Sequence, residues 1–219
     1  MKILAIEFST AQRGVAVVEA GQMLGAALET ATRETHAFAL VGRALEEAKL
    51  EREAIECLAI GIGPGSYAGI RSAIALAQGW QLAAGTDFKL LGISSAEAIA
   101  AGAQAQGWFG DISVVIDAQR GEIYLGEYQV SPVECRATRP LRLATLEEAR
   151  ASCATGGTVI GPEVSRWFEA GKVLFPTADI LGRLAHGRVD FVNGAQLEPI
   201  YLRETAFVKA PPPRIIPGG

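Results

Sequence analysis

The sequence predicts an α/β protein with mixed sheets flanked by helices, and three observations carry that prediction. Three short β-rich runs open the chain at close spacing, with glycine in the turns between them. Helical and strand-like segments then alternate, giving the order β-β-β-α-β-α-β-α before the middle of the chain. Finally, 49% of the 219 residues are hydrophobic and 20% are charged. That balance suits a buried core and argues against disorder.

The opening runs are residues 2–8, 14–19 and 23–30. The turns Gln12-Arg13-Gly14 and Ala20-Gly21-Gln22 make them an antiparallel meander. A helix follows, with Thr35 as its expected N-cap. Ala37, Val41, Ala44, Leu45 and Ala48 recur at helical spacing, widened by Phe38 and Leu40. Residues 57–62 read as a buried strand and residues 68–84 as a second helix. Residues 89–93 form another strand, and Ser94 or Ser95 caps a third helix with Glu97 in its first turn.

The Gly/Ala/Gln-rich stretch from Gly102 to Gly110 is the expected boundary between two units. We place an N-terminal unit at 1–103, a smaller one at 104–209 and a Pro/Gly-rich extended tail at 210–219. In the second unit, residues 112–116 and 122–128 read as strands joined by Asp117-Ala118-Gln119-Arg120-Gly121. Thr145 starts a short helix with Glu147 and Glu148 in its first turn. Residues 158–160 form a short strand, Pro162 starts a helix, and Thr177 caps one more that ends near Gly187.

Charge and cysteine content exclude several functions. The net charge is −4, and no Lys/Arg cluster stands out in the sequence. A chain that grips nucleic acid alone usually carries a basic patch, so any RNA is expected to be held by another subunit. Cys57, Cys135 and Cys153 form no CxxC pair and fit a reducing compartment. Glu7 interrupts the first apolar run too early for a signal peptide, and no uncharged stretch reaches membrane-span length. Cytoplasmic location is the expectation.

The most informative segment is Gly63-Pro64-Gly65-Ser66-Tyr67-Ala68-Gly69-Ile70-Arg71. A glycine turn between a strand and a helix N-terminus can bind an anion, because free N–H groups and the helix dipole converge there. The turn lacks a P-loop lysine and the dinucleotide glycine spacing. A tight turn with Ser66 as cap is the simpler reading. The helix after it is apolar nearly all round. One face carries Gly69, Ala73, Leu76, Ala77 and Trp80. The other carries Ala68, Ser72, Ala75, Gly79 and Ala83, with Leu82 beside them. So small a second face admits a closely packed helix, from this chain or from another.

Several segments resemble one known family. They are Ile3-Leu4-Ala5-Ile6-Glu7-Phe8-Ser9-Thr10, the Gly63–Arg71 turn, Gly92-Ile93-Ser94-Ser95-Ala96-Glu97-Ala98, Asp117–Tyr124, and Pro199-Ile200-Tyr201-Leu202-Arg203. In this order, across most of the chain, they resemble the bacterial TsaB family, which is glycoprotease-like and a non-catalytic paralogue of TsaD. Glu7 stands where that family usually has Asp, and Phe8 where it usually has Thr. The resemblance implies two ribonuclease-H-like lobes of the actin/hexokinase/Hsp70 (ASKHA) superfamily. It implies an accessory subunit that pairs with TsaD and TsaE for threonylcarbamoyl transfer to the adenosine beside the tRNA anticodon. It also implies a homodimer when the chain is alone, tRNA contact only through the complex, and no membrane. ATP or ADP is expected only at a complex interface. The expected partner interface comprises His36, Leu40, Ala68, Ser72, Ala75, Gly79 and Leu82. The signature turn comprises Gly63, Pro64, Gly65, Ser66, Gly69 and Arg71, and Glu7, Ser9 and Thr10 are the candidate residual nucleotide contacts.

Enzyme readings are weaker. The chain has two histidines, His36 and His186, whereas a helical metal pair needs two histidines one turn apart. Ser66 does not sit in G-x-S-x-G, so a glycoprotease-type peptidase is remote. An ATP-binding phosphotransferase or ATPase is the main rival, through the hydroxyls of Ser9 and Thr10 and through Glu7 as a base. Asp117 and Arg120 are read as a salt-bridged hairpin worth well under about 1 kcal/mol.

Overall fold

The N-terminal runs pair as predicted. In the computed structural model, which describes residues 1–30, 36–154 and 156–203, β1 (Lys2–Glu7), β2 (Gln12–Glu19) and β3 (Gln22–Thr30) form an antiparallel meander. β4 (Cys57–Gly61) joins β1 in parallel, and β5 (Lys89–Ile93) joins β4 in parallel. The sheet order is β3-β2-β1-β4-β5. β4 is buried along its length and β1 nearly so, which is why their sequences run apolar without alternating.

The two faces of this sheet take different helices. Leu4, Ile6, Leu58 and Ile60 point to one face, under α1 (Ala37–Ala48) and α2 (Tyr67–Ala84). Ile3, Ala5, Ala59 and Leu91 point to the other, under α3 (Ser95–Ala105) and α5 (Ala178–Ala185). The split follows the two-residue period of a strand.

The second sheet repeats the first. β6 (Gly110–Asp117), β7 (Glu122–Val130) and β8 (Cys135–Thr145) form a meander, and β9 (Thr158–Gly161) and β10 (Lys172–Val173) add in parallel. Its order, β10-β9-β6-β7-β8, is that of the first sheet read from β5 to β3. The chain is therefore built as two lobes of ribonuclease-H-like topology. α3 also packs on the second sheet through Ile99, Ala100 and Ala103. α4 (Leu146–Cys153) covers that sheet's far face, with Ala149 beside Val115 and Leu125. α5, although it follows the second sheet in the chain, packs on the first through Ile180, Leu181 and Ala185. Among the described residues no helix is long and apolar enough to cross a membrane.

Several expectations need correction. β8 and β10 are strands that sequence reading leaves out. β8 carries Arg136, Arg139, Pro140 and Arg142 on an open edge, where charge and proline protect the strand rather than betray it. The helix expected from Pro162 is only a 3₁₀ turn, Val164–Arg166. Ser94 is the N-cap of α3 but makes no side-chain cap bond. Ser95 is fully buried and donates its hydroxyl elsewhere. Thr145 forms the full capping box with Glu148. Thr35 and the tail from 210 lie outside the described residues.

Candidate functional site

The signature turn is shaped by how closely α2 presses on the end of β1. A Cβ on Gly65 would collide with the carbonyl of Ser9, and one on Gly69 with the carbonyl of Phe8. Gly63 and Gly65 have φ of +92° and +147°, which a side chain would strain. Ser66 N–H donates to Ser9 O at 2.6 Å, and Ser66 Oγ caps the helix by accepting from Gly69 N–H at 3.4 Å. The sequence therefore fixes an 18-residue helix against the central strand with no room for larger residues at its start.

Glu7 is not where a nucleotide contact would be. It is fully buried beneath Gly61, whose Cβ position its carboxylate would occupy. Its Oε1 accepts from Ser9 N–H at 2.8 Å and its Oε2 from Ser95 Oγ–H at 2.9 Å. Burial pushes its carboxyl above the usual range, against the opposing pull of those two serines. Glu7 is thus an internal tie between β1 and α3. Ser9 and Thr10 are themselves buried, at 2% and 6% exposure. They line a cleft of about 500 Å³ between the lobes, with Gly65, Ser66 and Tyr67 on the same side. The second lobe contributes Asp117, Gln119, Tyr124, Glu163 and Arg166.

The Asp117–Arg120 hairpin pair is corrected as well. Asp117 bonds Arg166 at 2.6 Å and accepts from Gln119 N–H at 2.7 Å, while Gln119, Arg120 and Gly121 turn the chain at positive φ. Arg203 then clamps the turn, donating to Ala118 O at 2.9 Å, to Gln119 O at 3.2 Å and to the Glu122 carboxylate. Tyr201 stacks on Tyr67 at 5.3 Å, and Arg71 lies over the other ring of that pair. The Tyr-Leu-Arg segment near the C-terminus therefore ties the signature turn of one lobe to the hairpin of the other. Sequence reading singled out that segment without a role for it. It missed Arg13, Glu163 and Arg166, whose cleft positions come from long-range packing.

The outward face of α2 is as the projection predicts. Gly69, Ala73 and Ala77 are buried, while Ala68, Ala75, Gly79, Leu82 and Ala83 are exposed and Ser72 is half-buried. Leu82 is 87% exposed, and Phe38 on neighbouring α1 is 83% exposed. A Cβ on Gly79, or on Gly42 of α1, would meet nothing within 4 Å. Leu40 is corrected: at 1% exposure it faces the sheet and cannot form part of an outer surface. His36 is exposed at the start of α1, with Nδ1 3.6 Å from Glu29. His186 ends α5, on the opposite face of the sheet. Burial pushes the thiols of Cys57 and Cys135 up to about 12 and about 11, so neither is a ready nucleophile.

Comparison with known proteins accords with this geometry. A family model described as TsaD: tRNA N6-adenosine threonylcarbamoyltransferase matches residues 30–179, more than half of the chain. The chain is 29% identical to the tRNA threonylcarbamoyladenosine biosynthesis protein TsaB of Escherichia coli (strain K12) over 233 residues, covering 97% of this chain and 99% of that protein. It is 31% identical over 132 residues to the TsaB of Bacillus subtilis (strain 168), covering 59% of this chain and 56% of that one. Among solved structures, YeaZ from Pseudomonas aeruginosa matches with a TM-score of 0.79 and 26% identity, over 92% of this chain and 99% of that one. From a likeness that runs the length of both chains, and from a fold that places the shared segments in contact, the chain belongs to the TsaB family.

Proposed function

We propose that this chain is a cytoplasmic, non-catalytic accessory subunit in the biosynthesis of threonylcarbamoyladenosine in tRNA. It pairs with TsaD through the outward face of α1 and α2, with TsaE joining the pair, and uses the same face for a homodimer when alone. TsaB relatives and the matching family model support the pathway. The observation that carries the docking role is the exposed stripe Ala68, Ala75, Gly79 and Leu82 on α2, with Phe38 exposed on α1 over the same face of the sheet. Glycine inside a helix costs about 1 kcal/mol relative to alanine, and among the described residues nothing crowds Gly42 or Gly79. Close approach by a second helix explains why such residues stand there. The internal use of Glu7 weighs against the phosphotransferase reading, which needs that acid free.

Reconstitution tests the proposal. Purified chain mixed with TsaD, TsaE and the threonylcarbamoyl-adenylate source should modify tRNA, and omission of the chain should abolish the reaction. Gly79→Leu and Ala75→Trp should leave the chain folded, yet remove the TsaD complex and the homodimer on size-exclusion chromatography. Undiminished modification without the chain, or complexes unchanged in both variants, refutes the reading.

A further inference from the structure

Among the described residues, two buried side-chain atoms have no hydrogen-bond partner, Arg13 Nε and Glu163 Oε2, while the buried Ser9 hydroxyl is drawn to the Glu7 carboxylate. Arg13 and Glu163 line the cleft between the lobes from opposite sides. Buried polar atoms are nearly always paired, and an unpaired one costs stability, so two facing one cavity point to a ligand. The cleft is remote in role from the α1–α2 face, and its reading does not depend on docking.

The orphans differ in kind from side to side. The first lobe offers donors and positive potential. Among the described residues Arg13 forms no salt bridge, and its Nε–H is a donor without a partner. The N-terminus of α2, at Ser66, adds the positive end of a long helix. The second lobe offers an acceptor. Glu163 carries a carboxylate oxygen with no partner, and burial together with nearby Asp117 holds its carboxyl above the usual range. Asp117 is bonded to Arg166 at 2.6 Å. The Glu163 carboxylate accepts from the Asp117 backbone and is drawn by Arg166 as well, yet its Oε2 keeps no hydrogen-bond partner among the described residues.

We propose that the cleft binds a small zwitterion of the α-amino-acid type, with its carboxylate on Arg13 near the N-terminus of α2 and its ammonium on Glu163. A volume of about 500 Å³ suits a small ligand. Phosphate alone would bring no cation to Glu163, a nucleotide would do so only through its magnesium, and a simple monoanion would satisfy the first lobe alone. A zwitterion answers both walls, and the titration with ATP and magnesium separates the nucleotide case.

Isothermal titration of the full chain tests this, using the free amino acids, their N-acetyl and carboxamide forms, inorganic phosphate, and ATP with magnesium. At least one free amino acid should bind saturably. Its N-acetyl and carboxamide forms should each bind at least about tenfold more weakly, as expected when one partner of a buried charge pair is removed. Glu163→Gln and Arg13→Gln should each abolish binding, and both should keep the thermal stability of the parent. Absence of saturable binding by any free amino acid at millimolar concentration overturns the proposal. So does phosphate or ATP binding that Glu163→Gln leaves unchanged. Failure of α1–α2 docking with these titrations intact would count against the docking reading alone.

Discussion

Between β4 and β5 the first lobe places an 18-residue helix; between β9 and β10 the second places a three-residue 3₁₀ turn. The sheets around them have the same order and directions. The second lobe covers its outer face without a long helix, using α4 and the side chains of Trp167 and Phe168 over Val115, Ile123 and Leu125. A sheet of this size can thus be shielded on that face by one short helix, a turn and two aromatics. The first lobe keeps a helix with an entire face its own sheet does not use. That surplus surface, formed by small residues where the chain has no need of smallness, is the difference between the lobes on which the docking proposal rests.

The comparison breaks first at the start of α2. Gly69→Val would drive a branched side chain into the Phe8 carbonyl, which follows directly on the central strand and belongs to a fully buried residue. Overpacking at a rigid site should lower stability by about 3 kcal/mol or more in urea denaturation. A loss under about 1 kcal/mol would show that α2 can lift from β1, and that the signature turn is not what seats the helix.

The next effect concerns binding rather than folding. Phe38→Asp combined with Leu82→Asp alters two side chains that touch almost nothing in this chain. Stability should change by no more than about 0.5 kcal/mol per site, as for surface residues away from special features. Affinity for TsaD should fall at least about tenfold, because two apolar anchors become charges that docking must desolvate. Calorimetric titration separates the two. A destabilised chain with unaltered affinity would reverse the assignment of the outer face.

Glu7 supplies a pH-dependent test of the tie between β1 and α3. Its folded carboxyl titrates above the ordinary range because burial disfavours the charge. The folded state therefore holds a proton that the unfolded chain has released. Stability that is present below the unfolded pKa is lost as pH rises towards the folded one. Glu7→Gln keeps an acceptor for Ser9 N–H and can donate to Ser95 Oγ. It should raise the melting temperature at pH 7 to 8, by an amount that shrinks as pH falls towards 4.5. A variant destabilised equally at all pH values would show that the charged carboxylate is favourable in place.

Much of this was legible in the sequence. Strands β1 to β7 and helices α2 to α5 announce themselves through apolar runs, glycine turns and caps, because those signals act over a few residues. The small face of α2 is legible for the same reason, since helical period alone separates Gly79 from Ala77. The cleft was not. Arg13 sits in an ordinary β-strand and Glu163 follows a proline, and only the pairing of β6 with β9 and the packing of α3 between the sheets bring their walls together. Leu40 was misplaced because a helix apolar over a wide arc gives no sharp division between inward and outward. β8 was missed because an edge strand is protected by the residues that disguise it.

The smallest predicted effect is the most discriminating. Gly79 lies mid-helix, and a Cβ there meets nothing within 4 Å. Gly79→Ala should therefore stabilise the isolated chain by about 0.5–1 kcal/mol, since alanine loses less backbone entropy and no space is contested. If a partner helix packs on this face, the same methyl group should weaken the complex with TsaD or the homodimer, and Gly79→Leu should weaken it further. A more stable chain with weaker association means that glycine is kept at that position for the partner. A more stable chain with unchanged association would leave the glycine without a reason, and would move the docking surface off the middle of α2 to its ends, where Tyr67 and Leu82 stand.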